Sequence, residues 1–291
     1  MLRITERRLG ASLCACAAAL ALAGCSSGGS SNGGGFKTTA GGLVATAAVT
    51  EDGIGLSANP ETTSAKIDVK SDTVEMAFTG GGLDGRKILF EMSDDSDGVV
   101  EGDAVAASLE SGEDAGNLTA LFEEDKAAFA GYVSIEKGDW DDPEEGDTVQ
   151  LYALYGSNPA HKAHSLPGAN DELSYEGRLV GVATDGPASA GSVIGDVAIT
   201  ANFGDGSVEG TIGNLKYEDD SDFGGGDIAF AAEMSNDKAS YAGDTVTMGG
   251  ASATGSVEGG FYGAEAAETA GAIFAERDDN RLLGAYRADK Q

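Results

Sequence analysis

From Ala251 to Lys290 the chain alternates between two kinds of position. Ala253, Gly255, Val257, Gly259 and Phe261 fall on one face of an extended segment, and Thr254, Ser256, Glu258 and Tyr262 fall mostly on the other. After Glu265-Ala266 the alternation resumes with Ala270, Ala272 and Phe274 against Gly271, Ile273 and Ala275. It returns after Asp278-Asp279-Asn280 with Leu282, Gly284 and Tyr286. A period of two, broken by acidic turns, predicts three consecutive antiparallel strands. Glycine recurs inside these strands, where it normally weakens them, which points to sharp bending at barrel corners or close backbone approach.

The same period runs upstream. Leu173, Tyr175, Gly177, Leu179, Gly181 and Ala183 share a face, as do Val193, Gly195, Val197, Ile199, Ala201 and Phe203. Val208, Gly210 and Ile212 follow, then Ile228, Phe230, Ala232 and Met234, then Ala239, Tyr241 and Gly243. With the closing three this makes about eight strands, the number at which side chains just fill a barrel. The opposite face carries Arg178, Asp196, Thr200, Glu209, Glu233 and Glu258, whereas a lipid-facing wall would be apolar with aromatic girdles. A barrel packed inside and wet outside is therefore expected. Gly206-Ser-Val-Glu-Gly210 echoes Gly255-Ser-Val-Glu-Gly259, as equivalent strands would.

Before Leu166 the pattern is less regular. Ser64 to Lys70, Thr73 to Thr79, Arg86 to Met92, Asn117 to Phe122, Ala127 to Glu136 and Thr148 to Tyr155 read as strands. Thr79 to Gly85 is a turn-rich link, and Ala104 to Leu109 fits a short helical turn. The overall expectation is an all-β chain without a strong helix.

The N-terminus changes the picture of where the chain works. Arg3, Arg7 and Arg8 precede an apolar run from Leu9 to Leu22, too short for a dedicated spanning helix, and then comes Leu22-Ala23-Gly24-Cys25. That order is a lipoprotein leader, residues 1–24, with Cys25 as the lipidated (palmitate-type) residue. Residues 25–35 are the anchor and a Gly/Ser tether. Ser26 follows the cysteine in place of an inner-membrane-retaining aspartate, so the outer membrane is expected. Cys14, Cys16 and Cys25 are all the cysteines, so the body of the chain has neither disulfide nor thiol chemistry. The 291 residues carry a net charge of -31, and loss of the leader makes it more negative still. Such charge argues against nucleic acid and limits membrane contact to the lipid anchor, but leaves a basic partner or a metal cation open.

Candidate chemistry is sparse. His161 and His164 are i, i+3 neighbours able to share a metal or offer a haem ligand if helical, but spacing nominates no third ligand and their proline-flanked setting fits an exposed linker better. Asp94, Asp95 and Asp97 before Gly98 lack the spacing of a calcium loop. Asp139, Asp141, Asp142, Glu144, Glu145 and Asp147 surround Trp140. Oxygen at that density holds calcium or meets a basic protein patch with Trp140 as anchor, or simply faces water. There is no nucleophile elbow, phosphate loop or zinc signature, so the expectation is a non-enzyme with no cofactor assigned.

The run Gly255-Ser-Val-Glu-Gly-Gly-Phe-Tyr-Gly263, Glu265, Ala270-Gly271-Ala272-Ile273-Phe274 and Gly284-Ala285-Tyr286 resembles the closing strands of the transferrin-binding protein B type β-barrel surface lipoproteins. Ala264 stands where that family often has proline, and Ala270 where it often has glycine. Tyr152 to Gly156, Pro159, Pro167-Gly168 and Tyr175 to Gly177 are similar to the family's passage from a handle domain into the barrel. The resemblance implies a smaller β-rich handle-like domain at 36–168 and an eight-stranded antiparallel barrel domain at 169–291. It also implies surface display by a lipoprotein translocator. The expected role is non-covalent capture of a protein or small nutrient, iron- or haem-bearing among the options, for delivery to an outer-membrane transporter. Loops at Asp185 to Ser189, Glu218 to Gly226 and Gly138 to Asp147 are the recognition candidates. A structural or adhesive surface protein, or a calcium- or metal-binding lipoprotein, are the alternatives.

Overall fold

The structure, a computed structural model, describes residues 36–50, 53–57, 60–70, 73–93, 99–107, 113–122, 126–137, 146–158, 164–186 and 190–291. Nine strands form the first sheet. They are β1 (Phe36–Thr50), β2 (Gly53–Leu56), β3 (Glu61–Lys70), β4 (Thr73–Thr79), β5 (Lys87–Ser93), β6 (Val99–Ala107), β7 (Glu113–Leu121), β8 (Ala128–Lys137) and β9 (Thr148–Ser157). Their order is β2-β1-β3-β4-β5-β6-β7-β8-β9, and β1 also pairs with β9, so the sheet curls until its ends meet. The length of β1 makes this work. Residues 36–44 pair with β3 and residues 47–50 with β2 on one edge, while residues 40–48 pair with β9 on the other.

Alternate positions fill the inside of this sheet: Ile67, Met76, Phe78, Ile88, Phe90, Val133, Ile135, Tyr152 and Leu154 form one buried cluster. Tyr152 keeps its hydroxyl satisfied there by accepting the Leu83 N–H at 2.9 Å, with its ring 4.6 Å from Phe78. Leu83 ends a 3-10 turn at Gly81–Leu83, inside the expected turn-rich link. The short helical turn expected at Ala104 to Leu109 does not form across Ala104 to Ala107, which belong to β6. Ala107 pairs with Ile88 and Asp103 with Asn117, so the ladder uses both edges of the strand. Over Ala104 to Ala107 the pairing with β5 continues the ladder that β7 shares up to Asp103, and it overrides local alanine preference.

The second sheet is the expected barrel. It runs β10 (Glu172–Asp185), β11 (Ala190–Asn202), β12 (Ser207–Tyr217), β13 (Ile228–Met234), β14 (Ser240–Met248), β15 (Ala251–Tyr262), β16 (Glu268–Arg277) and β17 (Asn280–Lys290), closed by β10 on β17. Register shifts between β11 and β12, between β13 and β14 and between β14 and β15 are bulges that bend the wall round the cylinder. The interior is aromatic: the Phe261 ring lies 4.9 Å from Phe203 and 5.2 Å from Tyr241. Gly271 shows why glycine sits inside strands, because a Cβ there would strike the Tyr286 hydroxyl. That hydroxyl is 2.9 Å from the Tyr241 hydroxyl, which is itself 2.8 Å from Thr269 Oγ1. Burial pushes Tyr241 up to about 12, so both phenols stay neutral and hydrogen-bonded.

The outer wall is uneven. Glu176, Arg178, Asp196, Thr200, Glu209 and Glu233 are exposed, as the alternation implies. Along β16 and β17 both faces are buried, because the outside of those strands packs against the outside of the first sheet. Ala270, Ala272, Phe274, Leu283 and Ala285 meet Leu43, Ala45, Ala128, Ala130, Leu151 and Ala153 in one cluster. Small side chains on both walls let the sheets approach closely.

Candidate functional site

Among the described residues, two places combine polar groups with shape: the seam between the sheets and one end of the paired barrels.

The seam is fastened at its lower rim. The Glu268 carboxylate, 7% exposed, accepts the Ala127 and Ala128 N–H groups at 2.9 and 2.8 Å. Two charge-assisted bonds offset the cost of burying that charge. Lys126 Nζ lies 3.0 Å from Asp289 at this rim, and farther up Tyr132 shares a 2.7 Å bond with Ser192. The connector from β9 to β10 is fixed at the same rim. Ser165 donates its N–H to Gly263 O at 3.1 Å, accepts Glu265 N–H on Oγ at 2.7 Å and accepts Ala266 N–H on its carbonyl at 2.9 Å. Glu265 and Ala266 have φ of 54° and 52°, a conformation costly for both residues and held here by Ser165. Tyr175 adds its hydroxyl to Ala266 O at 2.9 Å.

Further along the seam the sheets part to leave a cleft of about 440 Å³. Leu43, Pro60 and Thr62 line one side, and Asp244, Ser256 and Glu258 stand on the other. Glu258 is partly buried rather than fully solvated, which corrects the reading of it as an outward, wet position: the first sheet covers that part of the wall. Burial raises its pKa to about 7. Tyr155 and Tyr262 are also raised by burial, and the Glu258 charge adds to the shift of Tyr155.

The other candidate is the upper end. Asp185 closes β10 there, with its carboxylate 3.2 Å from the Gly224 N–H, and Gly186 N–H reaches Asp279 O at 3.2 Å. Glu218, Asp219, Asp220 and Asp222 are exposed beside them, while Phe223 turns inward against Tyr217. The first sheet arrives at this end too. Arg281 at the start of β17 donates to Leu56 O at 2.6 Å, and Leu56 lies beside Ala47 of β1, next to the β1–β9 pair Ala48 and Thr148. The three expected recognition loops therefore have their flanking strands at one end, and the described part of that end is acidic.

The expected ligand residues fare as follows. Asp139, Trp140, Asp141, Asp142, Glu144 and His161 lie outside the described residues, as does Cys25. His164 is exposed at the opposite, lower end, and the structure does not bring it to the acidic loops. The Asp237 carboxyl is held below the usual range by the Ser235 hydroxyl and then the Ala239 N–H, with a small further effect from His164. Among the described residues no group of three or more His, Cys, Asp or Glu is placed to hold a metal ion. Glu268, Ser165 and Glu258 were not singled out as functional in sequence. The available signal was the run Glu268 to Ala275, where polar alternation is lost on both faces.

Comparison with known proteins follows the same division. Residues 166–290 match the family model described as the C-lobe and N-lobe beta barrels of Tf-binding protein B. No curated protein matches the sequence. Among solved structures, intact Ap-TbpB with its N and C lobes is 9% identical, with 88% of this chain and 77% of that one covered and a TM-score of 0.42. A Tf-binding protein B variant from Actinobacillus pleuropneumoniae is 16% identical over 86% of this chain and 99% of that one, with a TM-score of 0.42. The N-lobe domain of lactoferrin binding protein B of Moraxella bovis is 13% identical over 60% and 79%, with a TM-score of 0.38. The matched family consists of binding proteins, not enzymes. By that match over residues 166–290, the C-terminal barrel of this chain is a β-barrel of the transferrin-binding protein B type.

Proposed function

We propose that this chain is a lipid-anchored outer-membrane protein, displayed on the cell surface, that captures a protein or a small nutrient without covalent chemistry. The observation that carries this reading is the match of residues 166–290 to the barrels of Tf-binding protein B. The relatives' names describe transferrin- and lactoferrin-binding proteins, and an iron- or haem-bearing ligand handed to an outer-membrane transporter is the corresponding role here. β1 enters at the end opposite the acidic one, so a lipid on Cys25 would join the body away from the acidic end, and a Gly/Ser tether leaves that end free to meet a partner. Strands supply a rigid scaffold and loops the recognition, with a basic face on the partner as the electrostatic complement.

Protease shaving of intact cells tests the display, which predicts release of the folded body with the membrane intact. Pull-down from iron-starved cells with the full chain tests the capture. Recovery of an iron-carrying protein or an outer-membrane transporter supports it, and recovery of neither under iron limitation counts against it.

A further inference from the structure

Glu258 sits in β15 on the outer wall of the barrel, under the edge of the first sheet. The neighbouring seam carboxylates are compensated: Glu268 accepts two backbone N–H groups, and Asp289 meets Lys126. Glu258 has no hydrogen-bond or ion-pair partner among the described residues, and burial is the cause that moves its titration. Among the described residues, the groups around it bring no cation. β9 contributes Tyr155, β14 contributes Asp244 on the cleft side and Tyr241 on the barrel side, and its own strand contributes Tyr262. Leu43 of β1, with Pro60 and Thr62 before and in β3, complete the cover, and β16 places Ala272 opposite.

We propose that Glu258 makes the junction between the two sheets responsive to protons, tight when the carboxyl is neutral and loosened when it is charged. A carboxylate withdrawn from water without a partner favours its neutral form. As an acid it lets Leu43 and Pro60 close over it, and as an anion it draws water into the cleft. The direction in pH follows. The folded-state value near 7 lies above the ordinary value of 4.5, so the folded chain holds the proton more firmly than the unfolded one. Stabilisation from the neutral carboxyl is complete below 4.5 and is lost as pH rises through 7. The sheets are thus held most firmly in mildly acidic surroundings. This inference is independent of what the chain captures.

The test is Glu258→Gln in the full chain, with Asp244→Asn as the control that removes an exposed cleft charge. Glu258→Gln is expected to melt about 3–6 °C above the natural chain at about pH 8 and together with it at about pH 5. Asp244→Asn is expected to keep a gap that hardly changes between the two conditions. Hydrogen exchange on the natural chain needs no variant. After correction for intrinsic rates, seam amides of β9 and β15 are expected to exchange faster at about pH 8 than at about pH 6, while β11 and β12 do not. A Glu258→Gln gap equal at both pH values, or no seam-specific change in exchange, overturns the proposal. So does a carboxyl titration by NMR with its midpoint below about 5.5.

Discussion

The barrel has two kinds of wall, and they differ for a reason outside the barrel. Along β11 and β12 burial alternates almost residue by residue, with Asp196, Thr200, Glu209 and Thr211 in water and Val197, Ile199, Val208 and Ile212 inside. Along β16 and β17 the alternation disappears, because the outward alanines are covered by the first sheet. One wall is the surface of a barrel and the other is half of an interface. A strand that loses its polar face has a second body to bury against, and small residues on that face set how close the body comes.

That contrast can be tested position by position. Inward positions ought to behave alike on both walls. Phe261→Ala in β15 and Phe230→Ala in β13 are each expected to cost about 3–5 kcal/mol by thermal or denaturant unfolding. Outward positions ought to differ. Ala272→Glu, which forces an unpaired charge into the seam, is expected to cost about 2–4 kcal/mol, whereas Thr211→Glu on the wet wall stays within about 0.5 kcal/mol. Equal effects at those two positions would break the comparison. Glu268→Ala leaves the Ala127 and Ala128 N–H groups without their acceptor, and a loss of about 2–3 kcal/mol is expected in chemical denaturation. A melting curve that separates into two steps would show that the carboxylate also couples the sheets. Lys126→Met, at a partly exposed pair, is expected to cost only about 0.2–1 kcal/mol, with the loss fading as salt is added.

Much of the fold was legible because a barrel strand states its own geometry. Tyr175, Leu179, Ile199, Phe230 and Tyr286 all point inward as their period of two requires, and all eight strands of the barrel were counted from that period. β1 was missed, because Ala40, Gly41, Gly42, Ala45, Ala47 and Ala48 blur the contrast between its faces. Both faces of its middle are buried, so its sequence has no polar side to alternate with. The seam was hidden for the same reason: only packing in space reveals that Ala272 and Ala153 share one buried cluster. Glu258 looked like Glu209, since each follows Ser-Val in the same short motif. What separates them is the sheet packed over one wall, which no local pattern encodes. His164 illustrates the opposite limit. A two-histidine spacing is visible in the sequence, but the described member is exposed and joins no set of ligands among the described residues.

The three bonds made by Ser165 also have a mechanical consequence. A pull transmitted along the chain from the first sheet reaches β10 through a residue stitched to the β15–β16 turn. Load is shared across several bonds at once instead of peeling them singly, so Ser165 holds to that turn before β10 itself is strained. Under tension the start of β10 and the β15–β16 turn would move as one piece.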